Sequence, residues 1–192
     1  MNVLLLGPQG SGKGTQAKRI EAEYGIPHIA TGDMLRTAME QGTELGCRVK
    51  PIVDSGQLVP DDLMIDLIRE RLGQPDAEAG FILDGFPRTS PQADALDSML
   101  DEIGRALSIV FEFQLPDDVA VKRLLRRSEL EGRADDTPEA IDRRLALYHD
   151  QTEPLVEHYR AHGNLVGIHG DRSVNEVFSE VQQALEQAAA RS

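Results

Sequence analysis

An apolar run, Val3-Leu4-Leu5-Leu6, passes directly into Gly7-Pro8-Gln9-Gly10-Ser11-Gly12-Lys13-Gly14-Thr15, and a helix-length amphipathic segment follows. A buried strand, a glycine-rich loop and a helix in that order leave few choices of fold. The glycines let the backbone curl until successive N–H groups point inward, and the helix N-terminus adds its positive end, so the loop suits a phosphate. Lys13 then stands against the outer phosphates. A glycine-rich turn without a ligand is the plain alternative, and the strand before and helix after argue against it. The usual pattern has Ser or Thr directly after the lysine. Here Gly14 intervenes before Thr15, which counts against a direct hydroxyl contact to Mg²⁺.

Strand-like and helix-length segments keep alternating along all 192 residues, the pattern of a parallel sheet with helical crossovers. Strands are expected at 3–6, 28–30, 81–83, 109–113 and 165–168. Helices are expected at 15–24, 61–72, 89–100 and 117–127, followed by a polar break at 129–136. Thr137 and Pro138 then open a long helix running through Leu145, Tyr148 and Thr152, with a bend at Pro154. Thr89 with Gln92, and Ser173 with Glu176, have the spacing of capping boxes. Residues 31–59 differ, with short helical pieces at 33–41 and 45–54 broken by Gly42, Pro51 and Gly56, and read as a small appended unit. The expectation is an α/β, doubly wound, five-stranded parallel sheet with ligands beyond the C-terminal ends of its strands.

Composition narrows the function. A net charge of −13 repels nucleic-acid backbones and anionic membranes, so neither is an expected partner. No apolar run approaches the roughly 18 residues of a membrane span. The apolar start is too short, and lacks the basic lead, for a secretory signal. Cys47 is the one cysteine, which excludes a disulfide framework and any zinc site built from several thiolates. A reducing cytoplasm is the expected compartment. Against the acidic background, Lys122, Arg123, Arg126 and Arg127 fall within six residues without an acid. An acidic protein with a local arginine cluster points to a small, highly charged anion as ligand.

Asp84 ends an apolar strand in Asp84-Gly85-Phe86-Pro87-Arg88, where a carboxylate would face the phosphate loop and hold Mg²⁺ directly or through water. Arg36, Arg88, Arg123, Arg127, Arg133 and Arg144 are candidate phosphate ligands, because phosphoryl transfer rests on positioning and charge stabilisation. Arg123 and Arg127 share a helix face; alone, they would read as a solvated one. No general base stands out, and Asn-Lys-x-Asp, the mark of guanine-nucleotide switches, is absent. His158 and His162 have a metal-binding spacing, but no acidic motif accompanies them, so they read as exposed helix histidines.

Five motifs in order, Gly7 to Thr15, Thr31-Gly32-Asp33-Met34-Leu35-Arg36, Gly56-Gln57-Leu58-Val59-Pro60, Asp84 to Arg88 and Gly132-Arg133-Ala134-Asp135-Asp136, closely resemble the adenylate kinase family. The resemblance implies ATP·Mg²⁺ + AMP giving two ADP, in a monomer. It implies a core (1–29, 60–125 and 137–192), an AMP-binding unit (30–59) and a lid (126–136). With only Ser128 to Gly132 between Arg127 and Arg133, the lid is of the short kind, and no zinc site is expected in the protein, whose one expected cofactor is Mg²⁺ with ATP. By the same resemblance Gly10, Ser11, Gly12, Lys13, Gly14 and Thr15 wrap the ATP phosphates, with Arg123 on the adenine, Arg127 on the phosphates and Arg172 near the adenine through its main chain. Arg36 and Arg88 grip the AMP phosphate, and Arg133 and Arg144 bridge donor and acceptor. Thr31, Gln57, Leu58, Val59, Gly85, Phe86, Pro87 and Gln92 line AMP. Lys13, Arg88, Arg123, Arg133 and Arg144 form the catalytic set, and Asp135 and Asp136 resemble the lid's acidic hinge. Two alternatives stand beside this reading: a UMP/CMP kinase of the same fold, and a non-catalytic nucleotide-binding regulator.

Overall fold

The computed structural model describes residues 1–132 and 136–190. Its five strands are β1 (Asn2–Leu6), β2 (His28–Ala30), β3 (Phe81–Asp84), β4 (Ile109–Gln114) and β5 (Leu165–His169). They form one parallel sheet in the order β2-β3-β1-β4-β5, as the alternation of segments predicts. Around it lie α1 (Lys13–Tyr24), α2 (Thr31–Glu40), α3 (Glu44–Asp54), α4 (Asp61–Leu72), α5 (Ser90–Glu102), α6 (Asp117–Glu131), α7 (Pro138–Leu147), α8 (Leu155–Ala161) and α9 (Val174–Ala189). Among the described residues, no helix is long and apolar enough to cross a membrane.

β1 is central and buried along its whole length, which is why its sequence is apolar without alternation. Its side chains still point alternately to the two faces. Leu4 and Leu6 join Leu83, Phe86, Leu96 and Tyr159 in one core layer. Val3 and Leu5 join Ile20, Phe111, Phe113 and Val181 in the other, under α1 and α9. Leu35, Val49 and Val59, from the segment around α2 and α3, share the first layer with Met64 and Ile68.

The register positions the site. Asp84 pairs with Leu5 on one side and with Ala30 on the other, so the ends of β1, β2 and β3 lie level. Two residues past Leu5 comes Gly7, at φ 137°, where a side-chain carbon would stand 2.4 Å from the carbonyl oxygen of Phe113. Only glycine lets the chain turn off β1 this close to β4.

The structure corrects three expectations. The polar break expected at 129–136 starts later, because α6 continues to Glu131 and ends where Gly132 adopts φ 63°. Polar residues alone do not stop a solvated helix; a left-handed glycine does. The long helix opened by Pro138 changes pitch before the expected bend, as Tyr148–Thr152 form a π-helical turn closed by Glu153 N–H on the Tyr148 carbonyl at 2.8 Å. The capping box at Thr89 is altered: Thr89 accepts from Gln92 N–H at 3.4 Å, but Gln92 Oε1 accepts from Arg88 N–H at 2.8 Å. The box at Ser173 and Glu176 is complete.

Gly7→Ala should destabilise the protein by about 1–3 kcal/mol, the usual cost of a strained backbone position. Urea unfolding of the nucleotide-free protein checks this, and an unchanged midpoint would contradict the close approach to Phe113.

Candidate active site

The loop after β1 folds around its own lysine. Lys13 Nζ donates to the Gly7 carbonyl at 2.6 Å and the Pro8 carbonyl at 2.8 Å, and lies 3.4 Å from Ser11 Oγ. Burial lowers its pKa from 10.5 to about 8; nearby Asp84 opposes that shift, and the charges of Arg88 and Arg127 add to it. The ammonium thus sits where partial deprotonation begins near neutral pH.

Asp84 ends β3 with its side chain only 16% exposed and its Oδ2 3.4 Å from Nε2 of His28. Burial pushes its carboxyl upward, yet the bond to His28 and the charges of Lys13 and Arg88 hold it below the ordinary value. Asp84 is therefore an ionised carboxylate facing the loop; a side-chain carbon on Gly14 would stand 3.6 Å from its Oδ2. A partly buried hard-oxygen donor beside a glycine-rich loop fits a water-carrying Mg²⁺.

The turn after β3 aims Arg88 back at the site. Gly85 sits at φ 87°, where a side-chain carbon would meet Thr31 Oγ1 at 2.5 Å. Phe86-Pro87 is a cis peptide, and Arg88 Nε donates to the Gly85 carbonyl at 2.7 Å. Burial, together with the charges of Arg144 and Arg36, lowers the Arg88 pKa, while Asp84 opposes the shift. Arg36 pairs with Asp33 at the start of α2.

From α6 and α7 come the other cations. Arg123 donates to the Gly10 carbonyl at 3.3 Å. Arg127 and Arg144 converge on Asp136, whose carboxylate is fully buried: Arg127 Nε donates to Oδ2 at 2.8 Å and Arg144 to Oδ1 at 2.9 Å. Arg144 also reaches the Val53 carbonyl at 3.2 Å, and Arg143 the Ser55 carbonyl at 2.9 Å.

These groups line one cleft of about 400 Å³ beyond the C-terminal ends of β1, β2 and β3. It brings together Gly10, Gly12, Lys13, Gly14, Thr15, Thr31, Arg36, Gln57, Leu58, Val59, Asp84, Gly85, Pro87, Arg88, Gln92, Arg123, Arg127 and Arg144. Three expected residues are not in its wall. Ser11 is buried beneath the loop, Phe86 is 1% exposed in the core, and the Arg172 side chain turns to Glu180 and the His169 carbonyl. Arg133 and Asp135 lie outside the described residues.

Gln92 stands in the wall with both ends of its amide engaged, because Nε2 donates to Asp61 Oδ1 at 2.7 Å while Oε1 accepts from Arg88 N–H. Sequence reasoning overlooked His28, Asp61, Tyr148 and Thr152. His28 was the most legible of them, since β2 is parallel to β3 and its residues end at the same crevice. Asp61 reads in the sequence only as an acidic first-turn residue, although Thr89 also donates to it, at 2.9 Å.

A sequence model described as adenylate kinase matches residues 5–164. The chain is 42% identical to the adenylate kinase of Methanosarcina barkeri over 98% of its own length and 100% of that protein. It is 45% identical to the adenylate kinase of Stenotrophomonas maltophilia, with 96% and 99% covered, and 46% identical to that of Micrococcus luteus, with 95% and 89% covered. The alignment with the first spans 215 positions and that with the second 185. Matches of this extent leave one placement: the chain belongs to the adenylate kinase family.

Proposed function

We propose that the chain catalyses reversible transfer of the ATP γ-phosphoryl group to AMP, giving two ADP. The observation that carries this reading is the convergence of Lys13, Arg36, Arg88, Arg123, Arg127 and Arg144 on one crevice of a protein whose net charge is −13. Such a cleft concentrates phosphate groups from both ends of a transfer. The acceptor is already an anionic phosphate oxygen, so the chemistry needs no base from the protein.

Lys13 would exchange the Gly7 and Pro8 carbonyls for phosphate oxygens and follow the charge as it moves. Arg36 and Arg88 would fix the AMP phosphate, and the Arg88 fork is already set by its bond to Gly85. Arg123 would stack on the ATP adenine and Arg127 meet its phosphates, while Arg144 and Arg133 would span donor and acceptor. Thr31, residues 57–59, Gly85 and Gln92 would bound the AMP base. Asp84 would hold Mg²⁺ through water. When bound, the ion spreads charge over the β- and γ-phosphate oxygens. Because Arg127 and Arg144 are held by Asp136, bringing them onto the phosphates means drawing them from that carboxylate. Closure over the substrates would exclude water, which otherwise competes as acceptor. The short stretch from Ser128 to Gly132 supports a short lid, with 30–59 as the acceptor unit and the remainder as core. The composition and motifs support a cytoplasmic monomer acting on ATP, AMP and ADP, without zinc in its lid.

Lys13→Ala should lower kcat by on the order of 10²–10³, as loss of one preorganised charge contact does, in a protein that still unfolds cooperatively. A folded variant within threefold of the parent in a coupled ADP-formation assay would overturn the role of the loop.

A lysine with a pKa about 8 is partly neutral at pH 8, whereas a phosphate beside it keeps it charged. Nucleotide binding at pH 8 should therefore take up roughly half a proton, and affinity should weaken as pH rises through that value. Titration calorimetry in two buffers of different ionisation heat measures the uptake. Lys13→Arg, which stays charged, should abolish it.

A panel of AMP, CMP and UMP as acceptors tests base selection, with AMP expected to lead by a wide margin. Gln92→Ala should cost both stability and AMP kcat/KM, the latter by about tenfold or more, since its amide joins Asp61 to the Arg88 backbone and a pyrimidine offers a different edge. The KM for ATP should stay nearly constant. Unchanged AMP preference with a lowered Tm would make Gln92 a framework residue alone.

A further inference from the structure

Away from the cleft, three side chains of ligand type meet between two helices. His158 lies in α8, His162 follows its last turn, and Asp97 comes from α5. None of the three lines the nucleotide cleft. His158 Nε2 is 2.8 Å from Asp97 Oδ2, and one ligand atom from each residue lies within 4.8 Å of the others. Around a tetrahedral zinc, donor atoms at bond lengths of about 2.0–2.1 Å stand roughly 3.3 Å apart. The His158–Asp97 pair is already within that spacing, and the third donor lies at most 4.8 Å from it.

His162 Nδ1 is 2.8 Å from the His158 carbonyl oxygen, a contact that only a protonated Nδ1 can make as donor. That contact commits Nδ1, so Nε2 is the His162 nitrogen that can ligate, the arrangement that supports metal-bound histidines elsewhere. The His158 ring stands edge-on to Tyr159, with centroids 4.8 Å apart at 79°. Tyr159 is 1% exposed, so it braces the ring from the core. His158 and Asp97 keep 30% and 34% of their side-chain surface, which leaves an ion a way in.

We propose that Asp97, His158 and His162 form a binding site for a divalent transition ion, Zn²⁺ foremost, that clasps α8 to α5. Two imidazoles and one carboxylate supply three ligands, and water completes the coordination. The ion takes the place of the proton shared by His158 Nε2 and Asp97 Oδ2, and that proton passes to solvent. Mg²⁺, which prefers oxygen donors, is not bound there. This clasp differs from the thiolate cage that a single cysteine excludes. The sequence shows two of the three ligands together, because Asp97 lies 61 residues from His158.

The test is calorimetric titration of the nucleotide-free protein with zinc chloride at pH 7.5, in a Cys47→Ser background because that thiol is exposed. One saturable ion per chain is expected, unaffected by millimolar magnesium chloride. His162→Ala and Asp97→Asn should each weaken binding by about tenfold or more. Zinc should raise the Tm of the parent by mass action and raise that of His162→Ala much less. Absence of a saturable site, or equal zinc affinity in the parent and both variants, would overturn the proposal.

Discussion

Like charges brought together in a crevice repel, and the containment of that repulsion organises this molecule. Beside Lys18, six cationic side chains line one cleft. Each meets an acceptor within the protein: Lys13 the carbonyls of its own loop, Arg88 that of Gly85, Arg123 that of Gly10, Arg36 the carboxylate of Asp33, and Arg127 and Arg144 that of Asp136. Asp84 adds a carboxylate held ionised by the same cations. The cleft is thus locally positive yet internally compensated, on a chain that is strongly acidic overall. A phosphate entering it replaces acceptors already in place.

The compensating contacts also tie together distant parts of the sequence. Arg144 of α7 bonds both Asp136 and the Val53 carbonyl at the end of α3, and Arg143 bonds the carbonyl of Ser55. Thr152, in the π-helical turn, donates to the Arg88 carbonyl at 2.9 Å. The end of α3, the second half of α7 and the turn after β3 therefore share one polar framework. Irregularities in this chain, namely the π turn and the cis Phe86-Pro87 bond, fall on that framework rather than on the outer helices.

The sheet was legible because its signal is local. Runs such as Phe81-Ile82-Leu83 are apolar and short, and the helices between them carry their own caps at Thr137 and Ser173. The glycine-rich loop is legible for the same reason, and so are the motif arginines that the fold brings to the same cleft. What escaped depended on contacts across the chain. The end of α6 depended on Gly132 rather than on polarity. Phe86 sits in a motif that lines the cleft, yet packing turned its ring into the core. Gln92 reads in the sequence as either a cap or a base contact, and the structure gives its amide to Asp61 and Arg88, partners 31 and 4 residues away. His28 and Asp84, 56 residues apart, meet only because β2 and β3 are parallel neighbours.

The contacts of Lys13 have a consequence for the loop that carries it. An ammonium that draws the Gly7 and Pro8 carbonyls toward itself bends those peptide units into a fixed curl. The curl is therefore held by the chain's own side chain. Arrival of an anion does not first have to order the backbone, so little conformational entropy is lost there on association. The lysine serves in turn as template for the cradle and as the charge that greets its occupant.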